Sequence, residues 1–255
     1  MGRVVITCVA GLLGALALGS TAGAITNGEP DGTGHPEVGA LLASVPYPDG
    51  TWAACSGTLI SPTVFLTAAH CDRGTSDVAV TFESTYNRAT GTTYSGAWHA
   101  DPLYSNAQGD PNDIAVVVFD RPIRGLTPAR LPTAGSLDKI APGTQFTSVG
   151  YGVQSVTVDH GPVFSSVDVR YVTTGSLNTT TKVWLKISQN PSHGDGGTCY
   201  GDSGGPNFLG AGSSETNIVA ATTITGDTRC RSTNVDFRLD TDAARSFLAQ
   251  YVQLP

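Results

Sequence analysis

The sequence predicts an all-β protein with one C-terminal helix, and three observations predict it. Short runs alternate apolar and polar residues with the period of half-buried strands. Gly, Pro, Ser and Thr punctuate the chain between those runs, with 31 glycines and 15 prolines in 255 residues. Before the last fifteen residues few segments carry a helical repeat. Together these patterns point to a β-sandwich or β-barrel architecture.

The clearest strand signals are three. Val78, Val80 and Phe82 alternate with Ala79 and Thr81. Val167, Val169 and Tyr171 alternate with Asp168 and Arg170. Val183, Leu185 and Ile187 alternate with Lys182 and Lys186. The stretch from Pro128 to Gly143 is rich in Pro, Gly and Thr and reads as the connection between two halves, 25–132 and 133–255. At the end, Asp240 or Thr241 caps a helix whose positions Ala244, Phe247, Leu248, Tyr251 and Val252 fall on one face.

The first 24 residues read as a secretory leader and not as part of the fold. Arg3 gives a positive start, Val4 to Leu18 is uncharged and largely apolar, and Ala22-Gly23-Ala24 is an A-x-A cleavage site. The apolar run is shorter than the ~20 residues that span a bilayer. Removing it leaves 231 residues, enough for one large core or two compact barrels. Arg3 leaves with it, so 13 basic residues face 21 acidic ones and the formal charge becomes −8. That balance argues against nucleic-acid and anionic-membrane partners. Loss of Cys8 leaves four cysteines, an even number suited to an oxidising, extracellular compartment, with three possible pairings. No C-x₂-C spacing supports zinc, and no metal or cofactor is expected.

The chemistry centres on Thr198-Cys199-Tyr200-Gly201-Asp202-Ser203-Gly204-Gly205-Pro206. A serine hydroxyl becomes a useful nucleophile only when a neighbouring base takes its proton. Flanking glycines allow a tight turn that brings backbone N–H groups near a reacting carbonyl. A base and an acid lie upstream. His70 ends Leu66-Thr67-Ala68-Ala69-His70-Cys71, and Asp113 opens the apolar run Asp113-Ile114-Ala115-Val116-Val117-Val118-Phe119. Each alone is more simply a structural residue; the three together supply a nucleophile, a base and an orienting carboxylate. Gly201 to Gly205 also fits the G-x-S-x-G elbow of α/β-hydrolases, which place their acid and histidine after the serine. Here the last histidine is His193, so that reading fails.

The stretches Cys55-Ser56-Gly57-Thr58-Leu59-Ile60, Thr67-Ala68-Ala69-His70-Cys71, Asn112-Asp113-Ile114-Ala115 and Gly201-Asp202-Ser203-Gly204-Gly205-Pro206 resemble the trypsin/chymotrypsin family of serine proteases. The motifs keep the family's order and cover most of the chain after residue 24. The resemblance implies two Greek-key antiparallel β-barrels packed side by side, with His70 and Asp113 on the first and Ser203 on the second. It implies a catalytic triad of those three, an oxyanion hole from the N–H groups of Gly201 and Ser203, and the disulfides Cys55–Cys71 and Cys199–Cys230. It also implies that activity falls on the acid side as His70 takes up a proton. A new amino terminus at Ile25 is expected to pair with Asp202, so that leader removal itself activates the enzyme. Protein or peptide substrates and protein protease inhibitors are the partners it implies, for a secreted monomer.

Specificity departs from the family pattern. The position six before the serine, acidic in trypsins, is Gly197, and Ala220-Ala221-Thr222 stands where Ser-Trp-Gly is usual. Gly197, Thr198, Ala220 and Thr222 are therefore the expected pocket residues, for small or medium uncharged side chains. Asp195, Asp227 and Asp236 are candidate replacement acids or plain loop charges. Tyr151 stands where Trp is usual. Asn178-Thr179-Thr180 fits the N-glycosylation pattern, and His35, His99, His160 and His193 read as structural or surface residues. The alternatives to an endopeptidase are a catalytically silent binding protein of the same fold and an esterase using the same site.

Overall fold

Six short strands in the first half of the chain close on themselves. The computed structural model describes residues 25–107, 109–158 and 162–255; residues 1–24, with the whole leader, and His160 lie outside them. The first barrel contains β2 (Val38–Leu42), β3 (Ala53–Ser61), β4 (Val64–Thr67), β5 (Asp77–Thr81), β6 (Tyr94–Ala100) and β7 (Ala115–Phe119), following a two-residue β1 (Glu29–Pro30). Its order is β2-β3-β4-β7-β6-β5, and β2 pairs back to β5. Every pairing is antiparallel.

The second barrel uses β8 (Gln145–Gly150), β11 (Tyr171–Thr180), β12 (Trp184–Ser188), β13 (Pro206–Leu209), β14 (Val219–Gly226) and β15 (Thr233–Arg238). They run β11-β12-β15-β14-β13-β8, and β8 pairs with β11 to close the ring. A hairpin of β9 (Ser155–Val158) and β10 (Pro162–Ser165) stands apart from both barrels. Residues 120–144, which include the predicted connecting stretch, hold no strand. The all-β, two-barrel prediction matches this architecture. β1 pairs with β11, so the start of the described chain straps itself to the second barrel. One core cluster contains residues of both barrels, including Leu41, Phe65 and Val117 with Phe208, Val219 and Phe237.

Two of the three strand readings correspond to strands, since their apolar positions are the buried ones. Val78 and Val80 are buried on β5, as are Leu185 and Ile187 on β12, where Lys186 is exposed. The third is corrected. Residues 167–170 form no strand, and their polar members are the ones engaged with the protein. The Asp168 carboxylate accepts the amides of Trp52 and Ala53 at 2.8–2.9 Å. Arg170 is 1% exposed and donates to Asp31 and to the carbonyls of Val38, Phe82 and Gly32, while Val167 is exposed. A guanidinium satisfied by these four acceptors and the Tyr151 hydroxyl overrides the alternation of its apolar neighbours.

The C-terminal helix α1 spans Asp242–Leu248, and Thr241 caps it by accepting the Ala244 amide. Asp240 does not cap; its carboxylate holds the buried Arg238 guanidinium at 2.8–2.9 Å and accepts the Leu137 amide. Ala244, Phe247 and Leu248 are buried, and Tyr251 beyond the helix end packs on Phe247 and His99. Among the described residues, no helix is long and apolar enough to cross a membrane.

Candidate active site

β4 leads straight into the histidine. Its last residue, Thr67, is followed by a 3₁₀ turn over Ala69–Cys71 that carries His70 at the edge of the first barrel. A disulfide between Cys71 and Cys55 of β3 fixes the turn. Asp113 sits two residues before β7, folded in by a loop in which Asp110 accepts the amides of Ser105 and Asn112. Asp113 is 3% exposed and uses both oxygens on His70: Oδ1 accepts the backbone amide at 2.9 Å, and Oδ2 lies 2.7 Å from Nδ1. An ionised carboxylate only accepts, so Nδ1 carries the ring proton and Nε2 is left to accept one. The two bonds fix the ring's position and its tautomer together.

Ser203 comes from the loop between β12 and β13. His70 and Ser203 line one cleft of about 410 Å³, together with Thr198, Cys199, Tyr200 and the β14 residues Thr223 to Gly226. Ser203 Oγ and His70 Nε2 form no hydrogen bond, an arrangement common where catalytic bonds tighten only on substrate. Among the described residues the amides of Gly201 and Ser203 donate to no acceptor, whereas those of Asp202, Gly204 and Gly205 are all engaged. Gly201 has φ +94° and Gly204 φ +82°, a backbone region that disfavours side chains. A Cβ on Gly204 would also collide with Thr67 and with the Ser56 carbonyl.

One residue that holds this loop was not singled out in the sequence. Ser56 on β3 donates its amide to the Ser203 carbonyl at 2.9 Å and its hydroxyl to the Gly201 carbonyl at 3.0 Å. The same hydroxyl accepts the Tyr151 amide at 2.9 Å. Ser56 thereby anchors the nucleophile loop of the second barrel to a strand of the first. Its position just after Cys55, within a matched motif, was the available signal.

Asp202 is fully buried and accepts the amides of Gly152 and Cys199, each at 2.8 Å. Among the described residues, no side-chain cation meets it. Burial outweighs those two hydrogen bonds and pushes its carboxyl up to about 7. Gly150 and Gly152 leave the room it occupies, since a Cβ on either would strike its carboxyl. Ile25 is fully buried, and Thr26 forms a bridge with Gly197 in the same region of the chain. Cys199 and Cys230 form the second disulfide, beside the cleft.

The expected pocket residues do not all meet. Thr198 lines the cleft. Ala220 and Thr222 do not: Ala220 packs with Leu137, Phe146 and Leu177 inside the second barrel, and Thr222 is buried opposite Pro206. The segment of β14 that lines the cleft is Thr223-Ile224-Thr225, where the β14–β15 register shifts between Thr223 and Thr225. Gly197 is buried, with the Gln189 side chain occupying the space a side chain at 197 would take. Of the candidate acids, Asp195 is buried and binds Ser176. Asp227 lines the cleft, but its oxygens accept the amides of Arg229, Arg231, Ser232 and Thr233, which hold its carboxyl low although burial opposes them. Asp236 is fully buried and accepts from Asn207; burial raises its pKa well above the usual aspartate value.

Two barrels that bring a histidine–carboxylate pair and a serine to one cleft define a serine-type endopeptidase architecture. The trypsin family model matches residues 35–245, and the chain belongs to that family. It is similar to a chymotrypsin of Phaedon cochleariae, 29% identical over 194 residues, a match that covers 70% of this chain and 65% of that protein's length. It is also similar to granzyme M of Homo sapiens, 28% identical over 223 residues, covering 80% of this chain and 83% of that protein. A solved structure titled "Atomic resolution structure of HBP" shares the fold at a TM-score of 0.65 and 16% identity, over 89% of this chain and 96% of that one.

Proposed function

We propose that the protein is a secreted serine endopeptidase that cuts peptide bonds through an acyl-enzyme at Ser203. The observation that carries this reading is the doubly held His70, facing the same cleft as Ser203 beside two undonated amides. Ser203 Oγ attacks the peptide carbonyl while His70 Nε2 takes its proton. The carbonyl oxygen becomes an oxyanion and accepts from the amides of Gly201 and Ser203. Collapse breaks the C–N bond, and His70 returns the proton to the leaving amine. Water then attacks the acyl carbonyl as His70 takes its proton; the ester C–O bond breaks, Ser203 Oγ regains that proton from His70, and the acid leaves. Asp113 positions the ring and stabilises its charged form throughout.

Activation in this reading follows release after Ala24. The freed Ile25 ammonium is a cation for Asp202, a buried carboxyl that otherwise lacks one. The two disulfides suit the extracellular compartment that a secretory leader implies. Small or medium uncharged side chains fit a cleft walled by Thr223-Ile224-Thr225 with Gly197 in place of an acid.

The test is cleavage of a peptide library by the wild-type chain, Ser203→Ala and Asp113→Asn. Wild type should cut, Ser203→Ala should not, and Asp113→Asn should lose roughly 10⁴-fold in kcat. Peptides left intact by wild type, with small esters hydrolysed, would replace this reading with the esterase one. No turnover of either substrate would leave the binding-protein reading.

A further inference from the structure

Gln189 follows β12 directly and is 1% exposed, yet neither Oε1 nor Nε2 has a hydrogen-bond partner. A buried carboxamide with both ends unsatisfied is costly, and such groups in native proteins call for a physical reason. Its surroundings supply one. The side chain lies flat against Gly197, where a Cβ would collide with Oε1, Cδ and Cγ. On the other side, a Cβ on Gly226 would come within 3.3 Å of Nε2. Gly226 lines the cleft that holds His70 and Ser203, as does Thr198, next to Gly197. Gln189 thus lies directly behind one glycine of the cleft wall, Gly226, and against a second, Gly197, that adjoins the wall residue Thr198. The backbone fixes its place, since the Gln189 amide donates to the Ser232 carbonyl at 3.0 Å.

We propose that Gln189 forms the base of the primary specificity pocket and selects substrates with a carboxamide side chain, Gln or Asn, before the scissile bond. A carboxamide presents one acceptor and a two-proton donor, and only a partner offering both satisfies it fully. A second carboxamide does so through a pair of N–H···O bonds. A leucine side chain of similar length leaves both ends of Gln189 unpaired, and a lysine ammonium, which only donates, satisfies Oε1 and leaves Nε2 unpaired. Sites that hydrogen-bond a substrate group reject analogues lacking it far more strongly than apolar pockets do. The buried polar residues Asn234 and Asp236 of β15 keep this end of the barrel polar; Asn234 Oδ1 and Asp236 Oδ2 are likewise unpartnered. The proposal rests on the endopeptidase reading for its location in a substrate cleft, but not for its measurement.

Binding to the Ser203→Ala chain tests it without catalysis. Tetrapeptides differing only in a C-terminal Gln, Leu or Lys are titrated by calorimetry. The Gln peptide should bind at least tenfold tighter than the other two. Gln189→Leu should abolish that preference, and Gln189→Glu, which keeps the shape, should move it toward Lys. Equal affinities for Gln and Leu, a native preference for Lys, or an unchanged order in Gln189→Glu would overturn the assignment, and the last holds even if Gln189→Leu does not fold. Gln selectivity in binding, with no peptide cleavage by wild type, would sink the endopeptidase reading and leave this one standing.

Discussion

Keeping a single residue ahead of Ile25 leaves its nitrogen in a peptide bond and denies Asp202 the ammonium proposed to pair with it. In that state the Asp202 carboxyl titrates at about 7, against 3.8 for an exposed aspartate, because burial outweighs the bonds from Cys199 and Gly152. Between those two values the native chain holds a proton that the unfolded chain has released. Stability therefore falls as pH rises, by about 1.4 kcal/mol per unit. Over the whole interval the loss is about 4 kcal/mol, a large share of a typical 5–15 kcal/mol total. A chain that begins at Ile25 behaves differently, since a paired ammonium favours the charged carboxyl. Urea unfolding followed by tryptophan fluorescence, at pH 4 to 8 on both chains, measures this directly. The extended chain should lose stability between pH 4 and 7 relative to the one starting at Ile25, and Asp202→Asn in the extended chain should remove the loss. Groups remote from the terminus contribute equally to both, so the difference isolates Asp202. Parallel pH curves would refute the pairing.

His35 is held between Asp31, 2.5 Å from Nδ1, and Glu215, 2.7 Å from Nε2, joining the N-terminal strap to the second barrel. Burial alone would lower its pKa, but those hydrogen bonds outweigh burial and raise it, while Asp31 is held down at about 2. A raised histidine contributes fully below its unfolded value near 6.5 and loses that contribution as pH climbs through the folded one. His35→Ala should thus cost roughly 3–5 kcal/mol in urea unfolding at pH 6 and progressively less as pH rises above it; a cost that does not fall with pH would contradict the ion pair. Ser56→Ala removes one hydrogen bond to the nucleophile loop and orphans the buried Tyr151 amide, so it should cost about 1–3 kcal/mol. It should also slow acylation of Ser203 by a phosphonate, whereas the isosteric Ser56→Cys, retaining a weak donor, should restore part of the rate. An unaltered rate in Ser56→Ala would remove Ser56 from the positioning of that loop.

Much of this was legible in the chain, for identifiable reasons. His70, Asp113 and Ser203 stand in contiguous motifs whose residue types are tied to one chemistry, so order and spacing suffice to bring them together on paper. The β5 and β12 strands were readable because one face of each is buried and one is not. Reading failed where side chains far apart in sequence satisfy one another. Arg170 is buried by acceptors from Asp31, Gly32, Val38 and Phe82, which no local alternation announces. Asp240 lost the helix cap to Thr241 because Arg238 holds it. The pocket wall was read three residues too early: Ala220 and Ala221 pack in the barrel core and Thr223-Ile224-Thr225 line the cleft, a difference that local sequence, apolar or small throughout this stretch, does not mark. Gln189 gave no signal at all, because its role depends on two glycines, at 197 and 226, that meet it only in the folded chain.

The central claim is that Ser203, activated by His70, is the nucleophile. Incubating the chain that begins at Ile25 with a fluorophosphonate, followed by peptide mass mapping, tests that claim most directly. One adduct should form, on Ser203, absent in Ser203→Ala and much slower in His70→Ala. An unlabelled wild-type chain, or an adduct on another serine that persists in Ser203→Ala, would contradict it.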